Sequence, residues 1–271
     1  AFSGQLKVAL VDPHGLDPLP RSGRAYAIAA GACNMFEALG VWDKIAASAQ
    51  PIERMVITDS RLSEPVRPVF LTFDSPQQAE QPYAYMVEQD DLLRVLQDAL
   101  RETDLAVFKT RAKGFETHAQ EAVLDLENHD TLRAKLVIAC DGARSPLRQA
   151  AGIGLIVHAY DQSGIVATLS LERDHHGVAE EHFLPSGPFA TLPLQNKRCS
   201  IVWTERNDAV KTYLSLSAEE FVAEVEHRFG LRYGALTLLD KPQAFPLRVG
   251  MAREFVKPRL ALVGDAAHLV H

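Results

Sequence analysis

Three apolar runs far apart in the chain each end on an aspartate: Val8-Ala-Leu-Val-Asp12, Leu136-Val-Ile-Ala-Cys-Asp141 and Ala261-Leu-Val-Gly-Asp265. Short continuous apolar runs that stop at turn residues read as strands buried in a parallel sheet. In a doubly wound α/β sheet the ligand lies outside the carboxyl ends of the strands. The pattern therefore predicts an α/β chain in which Asp12, Asp141 and Asp265 converge on one crevice. An acid there suits a ribose or another polyol, because a carboxylate accepts hydrogen bonds from hydroxyl groups.

The three ends are not equally informative. Asp12 is followed by Pro13, and turn chemistry explains an aspartate there as well as a ribose does. Asp141 is followed by Gly142, which permits positive φ or close backbone approach. Ser145 is a natural N-cap with Pro146 at the first helical position, and the helix is expected to end before Gly152. Such a helix start favours a pyrophosphate or another anion, although a plain strand-to-helix turn accounts for the same residues. Gly264-Asp265-Ala266-Ala267-His268 repeats the logic with small residues that let a bulky planar ligand lie against the backbone. An ordinary N-cap is the competing reading, and the chain is expected to enter a helix by His271.

With 271 residues there is room for one large domain or two modest ones. Lys and Arg number 28 against 35 Asp and Glu, a formal net charge of -7. That argues against nucleic acid as a partner, because binding to a phosphate backbone rests on clustered positive charge. Cys33, Cys140 and Cys199 sit among apolar or small residues and read as buried thiols in a reducing compartment. No apolar run nears the roughly 20 residues of a membrane-spanning helix, and no charged-then-apolar leader precedes the Leu6 strand.

Between the strand ends, Gly4 reads as a helix stop, and the alanine-rich stretch Arg24 to Leu39 predicts a helix stopped by Gly40. The proline-broken stretch 51–85 predicts short edge strands and loops. Asp90 or Asp91 is expected to cap a helix. Leu105 to Val107, Glu116 to His118, Ala122 to Leu126 and Thr131 to Arg133 predict an antiparallel meander. Lys135 to Cys140 reads as a strand covered on both faces. Beyond Tyr160, apolar Ile165, Ala167, Leu169 and Leu171 take alternate positions, as do Cys199, Ile201 and Trp203, which predicts an antiparallel sheet with one apolar face. Ser217-Ala-Glu-Glu220 is a capping box opening a core-facing helix that Gly230 closes. Trp42 and Trp203 read as packing residues. His175, His176 and His182, with Glu180 and Glu181 between, match no zinc spacing and would scatter over both faces of a hairpin, so no metal is expected.

Five segments occur in the order RAYAIAAGACNMFEALGVWDKI from Arg24, LVIACDGARSPLR from Leu136, GPFATLPL from Gly187, CSIVWTE from Cys199 and LALVGDAAHLVH from Leu260. Together they resemble the flavoprotein aromatic hydroxylases, and within these the ubiquinone-biosynthesis branch of the 2-polyprenylphenol or 2-polyprenyl-6-methoxyphenol hydroxylase type. The resemblance implies a doubly wound FAD-binding domain like that of para-hydroxybenzoate hydroxylase, with an antiparallel-sheet substrate domain. The expected division is 1–50, 86–157 and 251–271 for the cofactor and 51–85 with 158–250 for the substrate. It further implies FAD as cofactor and NAD(P)H as reductant. Asp12 would meet the adenosine ribose and Arg24 would lie near the flavin. Asp141 and Gly142 would serve the pyrophosphate side, and Gly264 with Asp265 the ribityl chain. The protein then supplies placement, electrostatics and exclusion of water, while the cofactor activates oxygen, so no nucleophilic triad is required. The implied substrates are a polyprenylated phenol and O2, at a cytoplasmic site peripheral to the inner membrane, with other ubiquinone-biosynthesis proteins as partners. The resemblance names no catalytic base.

Two segments that normally touch FAD are absent: a glycine-rich fingerprint ahead of the Leu6 strand and a Pro- and Gly-containing segment after His268. The chain reads as a piece of a longer enzyme, expected to bind FAD weakly or not at all. Two other functions compete, a non-catalytic scaffold subunit with a flavin fold and a flavin hydroxylase or halogenase acting on a soluble aromatic.

Overall fold

A computed structural model describes residues 6–64, 67–74 and 82–270. The chain forms two compact units, one of Ala1–Leu19, Thr103–Tyr160 and Leu247–His271, the other of Pro20–Glu102 and Asp161–Pro246. Residues 20–50 and 86–102, expected on the cofactor side, group instead with the antiparallel sheet. The helix stop expected at Gly4 and the final His271 lie outside the described residues.

In the first unit Ala9–Val11 pairs in parallel with Ala106–Phe108, and Val137–Ala139 pairs in parallel with Leu260–Leu262. Val137, Ala139, Leu260 and Leu262 are buried in one core, against which Val11 and Phe108 pack. The 105–107 run thus joins a parallel pair and not the meander, which consists of Ala112–Thr117, Ala122–Leu126 and Thr131–Ala134. Only a long-range partner separates the two assignments. The other face of Val137–Ala139 is open: Ile138 is 59% exposed. Coverage on both faces, expected for this strand, is not found among the described residues. Cys140 falls on the same side as Ile138 and is exposed, whereas Cys33 and Cys199 are buried as expected.

In the second unit the strand Leu155–Leu171, from Gln162 onward, pairs antiparallel with Arg198–Arg206. The sheet continues through Gly187–Leu194, Val178–Leu184 and Arg54–Asp59 to Val69–Asp74 at its edge. The predicted alternation holds. Ile165, Ala167, Leu169, Phe189, Ile201 and Trp203 point into one core that the helix Ala218–Phe229 covers with Phe221, Val225 and Phe229. Trp203 is fully buried, with the Arg228 guanidinium 3.9 Å from its ring centroid. The capping box forms as predicted, Ser217 accepting from Glu220 N while the Glu220 carboxylate accepts from Ser217 N.

Two local expectations fail here. The stretch from Arg24 begins as a strand, Ala25–Ala29, and becomes helical only at Ala30–Ala38. Pairing with Ala84–Glu88 overrides the helix preference of alanine. The helix Gln89–Arg101 has Glu88 as its N-cap, with Asp90 and Asp91 in the first turn, where the helix dipole favours acids. Among the described residues no helix is long and apolar enough to cross a membrane.

The histidines serve the fold. His175 Nε2 lies 2.7 Å from the Leu194 carbonyl while Nδ1 accepts from Gly177 N, so the ring ties two segments of the fold together. His182 is buried, with Nδ1 2.6 Å from Thr58 Oγ1 and Nε2 3.3 Å from Ser60 Oγ. Burial, and then the nearby Arg67 charge, hold its pKa below the ordinary value of 6.5, against a smaller opposing pull from Asp59. The unfolded chain therefore takes up this proton first as the pH falls, so the contribution present above about pH 6.5 is lost below it. Urea midpoints are expected to fall from about pH 7 to pH 5, and to fall less steeply in His182→Gln.

Candidate functional site

Asp141 and Asp265 follow neighbouring parallel strands and leave them at the same end. Ala139 is registered with Leu262, and Val263 N donates to the Ala139 carbonyl. Each strand passes into a loop whose glycine has positive φ, +82° at Gly142 and +61° at Gly264. At both positions a Cβ would meet nothing within 4 Å, so the backbone is open to a ligand. The two loops are tied together by a residue that sequence reasoning did not single out. Arg148 is 4% exposed, and its guanidinium donates to the Ala143 carbonyl of one loop and the Ala266 carbonyl of the other, both at 2.9 Å. A cation removed from water needs such acceptors, so the two loops must turn these carbonyls inward. In the sequence Arg148 shows only as a basic residue in a first helical turn.

The helix Pro146–Ala150 starts as predicted, with Ser145 Oγ accepting from Arg148 N at 2.9 Å. The Asp141 carboxylate accepts from Leu147 N at 3.1 Å. Two of the donors that an anion would use at this helix start are thus already engaged, and the open backbone at Gly142 is the more available surface. The Asp265 carboxylate is exposed, without a hydrogen-bond or ion-pair partner among the described residues. The turn Gly264–Ala266 is a single 3₁₀ turn, after which His268–Leu269 pairs with Gly250 and Met251. The expected helix does not form there, because extension buries Leu269 against the neighbouring strand.

Asp12 ends Ala9–Val11 in the same unit, and its Oδ1 accepts from His14 N at 2.7 Å. That is the turn chemistry of the plainer reading, with the second oxygen unpartnered among the described residues. Arg24 belongs to the other unit, where its guanidinium lies 4.2 Å from the Phe245 ring centroid and its carbonyl accepts from Gln89 N. The three aspartates thus share one unit, two of them at adjacent strand ends.

Parallel strands ending in glycine-opened loops with acidic side chains in one unit, and an antiparallel sheet in the other, define a mixed α/β protein of the dinucleotide-binding class. The chain matches the FAD binding domain family over residues 7–271 and belongs to it. It is 38% identical over 262 residues to ubiquinone hydroxylase UbiL of Rhodospirillum rubrum, covering 96% of this chain and 60% of that protein. It is 33% identical over 251 residues to 3-demethoxyubiquinol 3-hydroxylase of Escherichia coli, covering 92% of this chain and 62% of that protein. The chain therefore spans about three fifths of these relatives' lengths. Its fold resembles the crystal structure of p-nitrophenol 4-monooxygenase PnpA from Pseudomonas putida, with a TM-score of 0.75 at 18% identity over 98% of this chain and 68% of that one.

Arg148→Ala leaves two buried carbonyls without their donor, which predicts a loss of about 2–5 kcal/mol in denaturant unfolding, with Arg148→Lys recovering only part. Next to Asp141, the Cys140 thiol is pushed above its ordinary value by desolvation and then by the Asp141 charge. Alkylation of Cys140 near neutral pH is expected to be slower than that of a free thiol, and Asp141→Asn is expected to speed it.

Proposed function

We propose that the protein from which this chain comes hydroxylates the ring of a polyprenylated phenol in ubiquinone synthesis, with FAD as cofactor, NAD(P)H as reductant and O2 as oxygen source. The observation that carries the reading is the pair of loops locked by Arg148, with open backbone at Gly142 and Gly264 and an unpartnered carboxylate at Asp265. These features suit FAD. Asp265 would accept from ribityl hydroxyls, and the free oxygen of Asp12 from the adenosine ribose. Gly142 would admit the pyrophosphate to the backbone. Arg24, stacked on Phe245, would hold the flavin edge. When bound, FAD supplies the redox chemistry by which one atom of O2 enters the ring. The chain's own contribution is to bind, to orient and to exclude water. The likeness to relatives that hydroxylate ubiquinone precursors favours a prenylated phenol over a soluble aromatic.

Flavin fluorescence titration of the 271-residue chain is expected to show weak FAD binding. Asp265→Asn is expected to weaken it roughly tenfold further, the factor for one charge-assisted hydrogen bond. With excess FAD, a prenylated phenol should raise NAD(P)H consumption and acquire one isotopically labelled oxygen from O2, while 4-hydroxybenzoate should not. Binding without ring oxygenation would favour the scaffold reading.

A further inference from the structure

The register of the large sheet in the second unit sets six side chains in one line across six strands. Leu71 stands beside Ile57, Ile57 beside Glu181, Glu181 beside Ala190, Ala190 beside Val202, and Val202 beside Val166. Side chains alternate between the faces of a sheet, so this row lies opposite the core that holds Phe189 and Trp203. None of the six is buried, and Leu71 at the edge is 42% exposed. Five are apolar. Glu181 alone is ionisable, with no hydrogen-bond or ion-pair partner among the described residues.

The row has a border and two distinct ends. Along one side lies the cluster of Ile52, Met86, Ala179 and Leu194, on which Met55 and Leu192 also pack. At one end Val166 sits with Gly23 and Phe245, the ring under Arg24. At the other end the strand Val69–Asp74 closes the sheet with Leu71 and Phe73 facing outward, where edge strands are ordinarily blunted by charge. The row crosses five interstrand spacings, roughly 24 Å.

We propose that this row is the floor on which the polyprenyl tail of the substrate lies, its head at Val166 and Phe245 and its tail running to Leu71 and Phe73. The inference rests on the prenylated-phenol reading above. A row about 24 Å long in which five of six side chains are apolar matches an extended hydrocarbon lying across the strands.

Binding to the 271-residue chain of prenyl phenols and the matching prenyl alcohols, from dimethylallyl to geranylgeranyl, tests this by calorimetry. Affinity should rise with each isoprene unit by about tenfold, the factor for burying roughly two methylenes. Ile57→Asp should cost the geranylgeranyl compounds at least tenfold and the dimethylallyl compounds much less. Glu181→Leu, which makes the line continuous, should tighten the long tails severalfold, a gain that misfolding cannot produce. Affinity independent of tail length, or a length dependence that survives Ile57→Asp, would overturn the proposal. So would Ile57-dependent binding to phosphatidylglycerol vesicles free of isoprenoid, which would assign the row to a bilayer surface. Equal tail dependence for alcohols and phenols would uphold the row and remove the phenol reading instead.

Discussion

The first unit depends on one buried cation, Arg148. Arg148 has no carboxylate partner among the described residues, and two peptide carbonyls satisfy its guanidinium in place of a counterion. Because an unpaired buried charge is costly, neither loop can rotate its carbonyl away without exposing that cost. Loop geometry and helix position are therefore coupled. Ser145 fixes the backbone N–H of Arg148, and Arg148 in turn fixes Ala143 and Ala266. With those carbonyls committed inward, the glycines and the Asp265 carboxylate are left at the open surface, where a ligand can reach them.

The second unit works by a different constraint, the strict alternation of a sheet. One face is a closed aromatic core, in which Trp203 lies 5.9 Å from Phe221 and 6.3 Å from Phe189 by ring centroids. The other face carries smaller apolar residues and stays partly open. The open face is bordered by strands that the bidentate Arg198–Glu88 pair ties to the sheet, at 3.0 and 2.7 Å. A half-buried pair with this geometry fixes orientation more than it adds stability.

What the sequence made legible is local. The Ser145-Pro146 helix start and the capping box at Ser217 are signalled within four residues, and both form. The alternation from Ile165 and from Cys199 is likewise local and holds. The failures share one cause, a distant partner. Ala25–Ala29 is extended because Ala84–Glu88 lies beside it, and the 105–107 run joins Ala9–Val11 across the chain. Arg148 was missed for the same reason, since its meaning lies in a carbonyl 118 residues away. The six-residue row could not be read at all without the pairing register of five strand contacts.

The parallel strands present two unlike faces. Val137, Ala139, Leu260 and Leu262 are buried, while Leu136, Ile138 and Val263, which fall on the alternate face, stand open to solvent. Parallel sheets are ordinarily covered on both faces, and among the described residues only one face of these strands is. The loops carrying Gly142 and Asp265 are the direct continuations of these same strands. Arg148 ties the two loops to each other through the Ala143 and Ala266 carbonyls, so ordering one for a ligand orders both. A contact covering the Ile138 face would therefore add apolar burial to the strands that carry both loops, without altering a residue of either loop.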